Sequence, residues 1–195
     1  MNLFTKGLAG GLFTLSLLSS SAFADFVVDN QQSRVFFIST KNINVSETHH
    51  FKQIEGTLSD AGKFSLDINL ASVETGIEIR NTRMQEQLFK TDTFPKANVT
   101  ATLPAEVLAM AKGETLHVTL PATLNLMGID KALNLDVVIN KNYKQQYVVT
   151  SAQPVLISAA DVGLQGGVEI LQKLAGLSSI SLTVPVSFNL VLNKN

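Results

Sequence analysis

Residues 70–101, LASVETGIEIRNTRMQEQLFKTDTFPKANVTA, interrupt a chain that otherwise alternates apolar and polar residues. On either side the alternation has the period of two expected of half-buried strands. Inside the stretch it stops. Ile77, Met84 and Leu88 recur at helical intervals, which puts them on one helix face. Thr75 is a candidate N-cap, and Glu78 follows it at the capping-box spacing. Phe94-Pro95 closes the irregular part, because Pro95 cannot extend a helix and holds Phe94 extended. The stretch reads as one short helix, charged on its outer face, set between two strands of a β chain.

Upstream, Asp25 to Lys41 is a strand region with Val35, Phe37 and Ser39 on one face and Phe36 and Ile38 on the other. Asn42 to His49 is polar and reads as a loop. The runs His50–Leu58 and Phe64–Leu70 alternate around Asp60-Ala61-Gly62, the pattern of a hairpin. Downstream, strands are expected at Ala97–Leu103, Leu116–Leu126, Leu133–Ile139, Tyr143–Val149 and Val155–Ile157. Pro104–Lys112 reads as a connector, and Pro121 as an edge or bulge. Gly166–Ala175 reads as a second short helix, with Gly176 just past its end. The clearest alternation comes last: Ile180, Leu182, Val184, Val186, Phe188, Leu190 and Leu192 share one face. About eight or nine strands joined by short turns suit a closed up-and-down barrel, which leaves no exposed edge. Eight strands enclose room for side chains or for one slim ligand. The expectation is one all-β domain, an antiparallel eight-stranded β-barrel with two short helices.

Composition narrows the function. The net charge of −1 argues against a nucleic-acid surface and against electrostatic membrane docking. Charged residues make up 16% and apolar residues 45%, so apolar surface must be buried in a large core or turned toward a cavity. With no cysteine, disulfides and thiolate chemistry are excluded. Met1–Ala24 has the form of a secretory signal peptide: Lys6, an apolar run from Gly7 to Leu18, and an Ala22-Phe23-Ala24 cleavage site. The mature domain would span 25–195 and be exported to the periplasm. No other apolar run approaches the roughly 18 residues of a membrane span.

Catalytic patterns are sparse. His49 and His50 are adjacent, so on a strand their rings point to opposite faces, and a solvated pair is the simpler reading than shared metal ligands. His117 lies among threonines on a polar face. No nucleophile elbow, zincin motif or phosphate-binding loop is present. The chain is therefore read as a non-enzyme with no catalytic residue and no metal site. Arg80 carries two readings. It either forms local pairs with Arg83 and Glu86 on a solvated helix face, or lies across a barrel mouth facing the polar head of a ligand.

Ser72-Val73-Glu74-Thr75-Gly76, Arg80-Asn81, Met84, Phe89 and Phe94-Pro95 resemble the central signature of the YceI family, with Glu74 and Asn81 each standing where that family has Asp. Leu124–Lys131 is similar to the family's Gly-centred hairpin, and Ala160-Asp161-Val162-Gly163 to its Asp-aromatic-Gly corner, with Ala159 where the family has Arg. The resemblance implies a periplasmic, lipocalin-like barrel that binds a polyisoprenoid such as an isoprenoid quinone or polyprenyl phosphate and needs no other cofactor, and it points to a homodimer. The isoprene tail would lie against Phe37, Leu66, Ile68, Leu116, Val118, Leu135, Val137, Tyr147, Val184 and Phe188. Thr75, Arg80, Met84, Phe89 and Phe94 would shape the mouth. At about 0.3 kcal/mol per heavy atom, about six isoprene units would reach micromolar affinity or better without a charged anchor. Two other readings remain: a barrel filled by its own side chains, and an enzyme acting on a small apolar substrate.

Overall fold

The computed structural model describes residues 26–195. The leader expected at Met1–Ala24 lies outside them. Among the described residues, twelve strands occur in chain order: β1 (Phe26–Val28), β2 (Arg34–Lys41), β3 (Val45–Phe51), β4 (Ile54–Leu58), β5 (Lys63–Asn69), β6 (Val73–Glu74), β7 (Lys96–Thr102), β8 (Thr115–Leu126), β9 (Ile129–Lys141), β10 (Tyr147–Ser151), β11 (Val155–Ser158) and β12 (Thr183–Lys194). Several are halves of one bent strand. β1 and β2 both pair with one edge of β12, while β10 and β11 share the other. β3 pairs β2 while β4 pairs β1. Every pairing is antiparallel, and the contact of β12 with β1 closes the sheet into an eight-stranded barrel of up-and-down order.

The breaks set which residues face inward. In β3, His49 and Phe51 are buried; in β4, Ile54, Gly56 and Leu58 are. A single run from His50 to Leu58 would place His50 with Ile54, so the two-residue break at Lys52–Gln53 shifts the parity. Ser72 holds that break, accepting Lys52 N–H on its carbonyl (3.0 Å) and Gln53 N–H on Oγ (3.0 Å). Residues 45–49 belong to a strand rather than to the loop expected from their polarity. Their alternate side chains face water across a regular β2–β3 ladder.

Two helical segments cover one end of the barrel. Helix α1 (Glu78–Arg83) runs directly into a π-helical turn, Met84–Phe89, whose Met84, Leu88 and Phe89 are buried. Lys90 ends it in the left-handed conformation (φ 50°). The expected N-cap is not one. Thr75 donates its hydroxyl to Asn81 Oδ1 (2.6 Å), and the same oxygen accepts Thr75 N–H (2.9 Å), so the turn before the helix is closed by the Asn81 side chain. Ile77 occupies the cap position without a side-chain bond and stays half exposed.

Helix α3 (Gln165–Leu174), within one residue of the range expected, packs on the π-helical turn. Gly167 permits that approach: a Cβ there would lie 2.7 Å from Gln87 O and 2.8 Å from Leu88 Cα. At the other end, the connector contains a further short helix, α2 (Ala105–Leu108). Its Val107 is fully buried and accepts a hydrogen bond from Tyr147 Oη (3.3 Å). The barrel is thus closed by α2 and roofed by α1, the π-helical turn and α3. Among the described residues, no helix is long and apolar enough to cross a membrane.

Candidate functional site

Inside the barrel lies an apolar cavity of about 530 Å³, within the range of small-molecule sites. Its wall follows from strand alternation. Along β12, Val184, Val186, Phe188, Leu190 and Leu192 face the lumen, and Phe37 lies opposite Val186 across the β2–β12 ladder. Leu66 and Ile68 come from β5, Leu135 and Val137 from β9, and Tyr147 from β10. Met84 and Phe89 close the wall from the roof, where Phe89 meets Phe51 (5.9 Å between ring centroids) and Phe51 meets Phe37 (5.5 Å).

Four of the residues expected at the site lie off the wall. Leu116 and Val118 have the inward parity of β8, as their pairing with Ile139 and Val137 requires. They precede Ala122, however, the first β8 residue with a β7 partner, and pack against the core at the end that α2 fills. Phe94 covers the β8–β9 turn instead, with its Cε1 3.5 Å from where a Gly128 Cβ would sit. Thr75 is buried, but its polar atoms are consumed in the turn before α1.

The mouth end has a polar collar. Ser39 and Lys41 of β2 and Glu47 and His49 of β3 face inward with Phe37, and Arg80 reaches them from α1. Lys41 Nζ (2.7 Å) and Arg80 Nη1 (2.8 Å) meet the same Glu47 oxygen, Oε2. The hydrogen bond from Lys41, reinforced by the Arg80 charge, holds the Glu47 carboxyl below its ordinary range. Arg80 Nη2 also donates to Thr75 O, so the guanidinium is fixed in place. Arg80 lines the cavity, and its ion pair is with Glu47 of β3 and not with a residue of its own helix.

His49 corrects the solvated-pair reading. It is 2% exposed, its Nε2 lies 2.9 Å from Ser39 Oγ, and its ring packs edge-on to Phe37. Burial, together with the nearby Arg80 charge, pushes its pKa below the usual histidine value, so the ring is neutral at pH 7. His49 Nδ1 and Arg80 Nε are both buried without a hydrogen-bond partner. Buried polar atoms of this kind are rare in folded proteins. Both side chains line the cavity, so the collar presents unsatisfied hydrogen-bonding capacity to whatever enters. The collar was detectable in principle, because Lys41 shares the parity of Phe37 and Ser39. His49 and Glu47 escape detection because residues 42–49 read as a loop.

The YceI-like domain family model matches residues 26–192. Among solved structures, the chain is similar to a polyisoprenoid binding domain from Saccharophagus degradans implicated in plant cell wall breakdown. The two are 38% identical with a TM-score of 0.86 over 89% of this chain and 100% of that one. BcnA of Burkholderia cenocepacia shares the fold at 20% identity, with a TM-score of 0.66 over 84% of this chain and 98% of its own. No curated protein matches.

Proposed function

The chain belongs to the YceI-like domain family, and from that premise we propose that it is an exported, periplasmic carrier that holds a polyisoprenoid lipid non-covalently inside its barrel. The observation that carries this reading is the apolar lumen of about 530 Å³. The 38% identical Saccharophagus domain, described as polyisoprenoid binding, supports the same class of ligand. The tail would lie along β12 between Val184 and Leu192, where affinity comes from excluded water and accumulates with length, at about 1.5 kcal/mol for each five-carbon unit. The head would sit at the collar. There Arg80 Nε donates a hydrogen bond, while His49 Nδ1 donates or accepts according to how the Ser39 hydroxyl turns.

The collar also bears on the chemistry of the head. Its two cations already share Glu47, which leaves one net positive charge beside a neutral histidine. That single positive charge and the unpartnered ring and guanidinium nitrogens suit an oxygen-bearing head, whether the carbonyl oxygens of an isoprenoid quinone or one negative charge of a polyprenyl phosphate. No catalytic step is assigned. The collar has no nucleophile beside a base, apart from the Ser39–His49 contact, and no third group orients that histidine, because its Nδ1 is unpartnered.

The test is native mass spectrometry of the protein purified from its own periplasm without detergent, followed by organic extraction. A discrete added mass identified as an isoprenoid is expected. A bare mass that persists after incubation with isoprenoid quinones and polyprenyl phosphates would overturn the carrier reading.

A further inference from the structure

The β2–β3 turn places a β-branched side chain where one is rarely found. Ile43 lies in the left-handed region (φ 73°), next to Asn42 (φ 48°), and is 79% exposed. A β-branched residue in that conformation is strained, and such strain persists only when the surroundings fix it. They do so here. Asn42 N–H donates to Ser179 O (3.0 Å), and Asn42 Oδ1 accepts from Ser178 N–H (3.0 Å), tying the hairpin tip to the segment after α3. The fold spends strain to hold an aliphatic side chain out into solvent at the mouth.

Ile43 is not alone there. Ile77 and Ile79 are 49% and 57% exposed, yet both also line the lumen, so aliphatic side chains reach from the interior past the polar collar to the outside. Ile170 and Leu174 are also exposed on α3, which is held to α1 by Arg83 Nη1 donating to Leu174 O (3.4 Å).

We propose that this rim is a docking surface for a lipid bilayer, through which the barrel exchanges its cargo. The proposal rests on the carrier reading above. A long isoprene tail leaving the lumen into water would expose all its apolar surface at once. A mouth seated in the bilayer interface lets the tail pass from one apolar phase to another. The charges on the rim are mixed, Arg83 and Lys173 against Glu78 and Glu169, so docking works by insertion of aliphatic side chains and depends little on anionic lipid or salt.

The experiment uses cargo-free mature protein and vesicles of neutral phosphatidylcholine, read by co-flotation. Ile43→Asn is the decisive variant, because asparagine tolerates the left-handed conformation and the fold should melt at the same temperature or higher. The vesicle partition coefficient should fall roughly ten-fold, from loss of one inserted aliphatic side chain. Tyr143→Ser removes an 83% exposed side chain from the opposite end of the barrel and should leave partition unchanged. Raising salt should change wild-type partition by less than about two-fold.

Equal partition of wild type and Ile43→Asn would overturn the proposal, as would an equal loss in Tyr143→Ser. Conversion of a dimer to a monomer by Ile43→Asn with vesicle binding intact would assign the rim to a second copy instead. Retention of detergent-delivered isoprenoid, measured by native mass spectrometry, separates the two readings. If wild type retains none, the carrier reading fails. If Ile43→Asn retains it normally and partitions normally, only the docking surface fails.

Discussion

Two neighbouring glycines in α3 should respond oppositely to the same substitution. Gly166 has no heavy atom within 4 Å of an added Cβ, whereas at Gly167 that atom would lie 2.7 Å from Gln87 O, 2.8 Å from Leu88 Cα and 3.0 Å from Leu88 Cδ1. Two of those three atoms are backbone and cannot rotate away. Each Gly→Ala change gains helix propensity, about 0.5–1 kcal/mol. That gain is common to both variants, so the difference between them isolates the overpacking of α3 against the π-helical turn, about 1–3 kcal/mol. For a domain of this size 1 kcal/mol shifts Tm by about 2–4 °C. Gly166→Ala should therefore melt slightly above wild type, and Gly167→Ala about 2–12 °C below Gly166→Ala. Calorimetry at matched concentration reads this directly. Because α3 roofs the lumen, Gly167→Ala should also release bound lipid faster. Two alanine variants of equal Tm would refute the claim that Gly167 sets the distance between α3 and the turn beneath it.

Val184→Asp places a carboxylate on the lumen wall and should abolish retention of a polyisoprenoid by native mass spectrometry; full occupancy in the variant would mean the lipid binds elsewhere. Val118→Asp should instead cost stability first, since Val118 packs in the core off the wall. Asn81→Asp should destabilise the turn before α1 at neutral pH, because the Asn81 amide donates to Glu74 Oε1 (3.2 Å) and a second carboxylate would repel it. The Glu74 carboxyl is held down to about 2, chiefly by Lys52 and then by Gly76 N–H and Asn81. A depressed carboxyl stabilises the fold above its unfolded pKa and loses that contribution as pH falls through the folded one. The Tm gap between Asn81→Asp and wild type should accordingly narrow as pH drops below the ordinary carboxylate range, and a gap that widens would reject the pairing. Tyr147→Phe removes the bond to Val107 O, but that carbonyl keeps its bonds from Ala109 N–H and Met110 N–H, so the cost should be only about 1 kcal/mol by urea titration with an unchanged slope.

Alternation made most of the barrel legible. The even-numbered residues of β12 and β9's Leu135 and Val137 could be assigned to one face because period two survives in long, regular strands. It failed where the register is set at a distance. The break at Lys52–Gln53 is held by Ser72, twenty residues away in the chain, and no local pattern announces the shift of parity. Residues 45–49 of β3 read as a loop because their outward side chains face water and their inward ones include Glu47 and His49, so polarity hides the alternation. The unpartnered atoms of His49 and Arg80 come from two elements, β3 and α1, that are brought together by the pairing of β6 with β3. The Asn81 departure from the family's Asp becomes intelligible once Glu74 is seen beside it: the longer acid reaches the position and needs a donor there.

The volume of the lumen bears on whether the barrel is meant to stand filled. Buried apolar cavities cost about 24 cal/mol per Å³ in measured series. Applied to about 530 Å³ this is on the order of 10 kcal/mol, as large as the whole stability of an ordinary domain, about 5–15 kcal/mol. Water is a poor remedy, since a lumen walled by leucine, valine and phenylalanine offers it few hydrogen bonds away from the collar. A filled-barrel reading would need the protein's own side chains to occupy that space, and they leave it open. On the carrier reading a bound apolar chain offsets that cost, and its removal should be visible in melting. Lipid at a thousand times its Kd would stabilise the folded state by about 4 kcal/mol. At about 2–4 °C per kcal/mol, the loaded protein should melt about 8–16 °C above the exhaustively delipidated one, with the gap restored on reloading. Coincident melting curves for loaded and delipidated protein would show that the lumen collapses or hydrates without cost, and the carrier reading would lose its energetic basis.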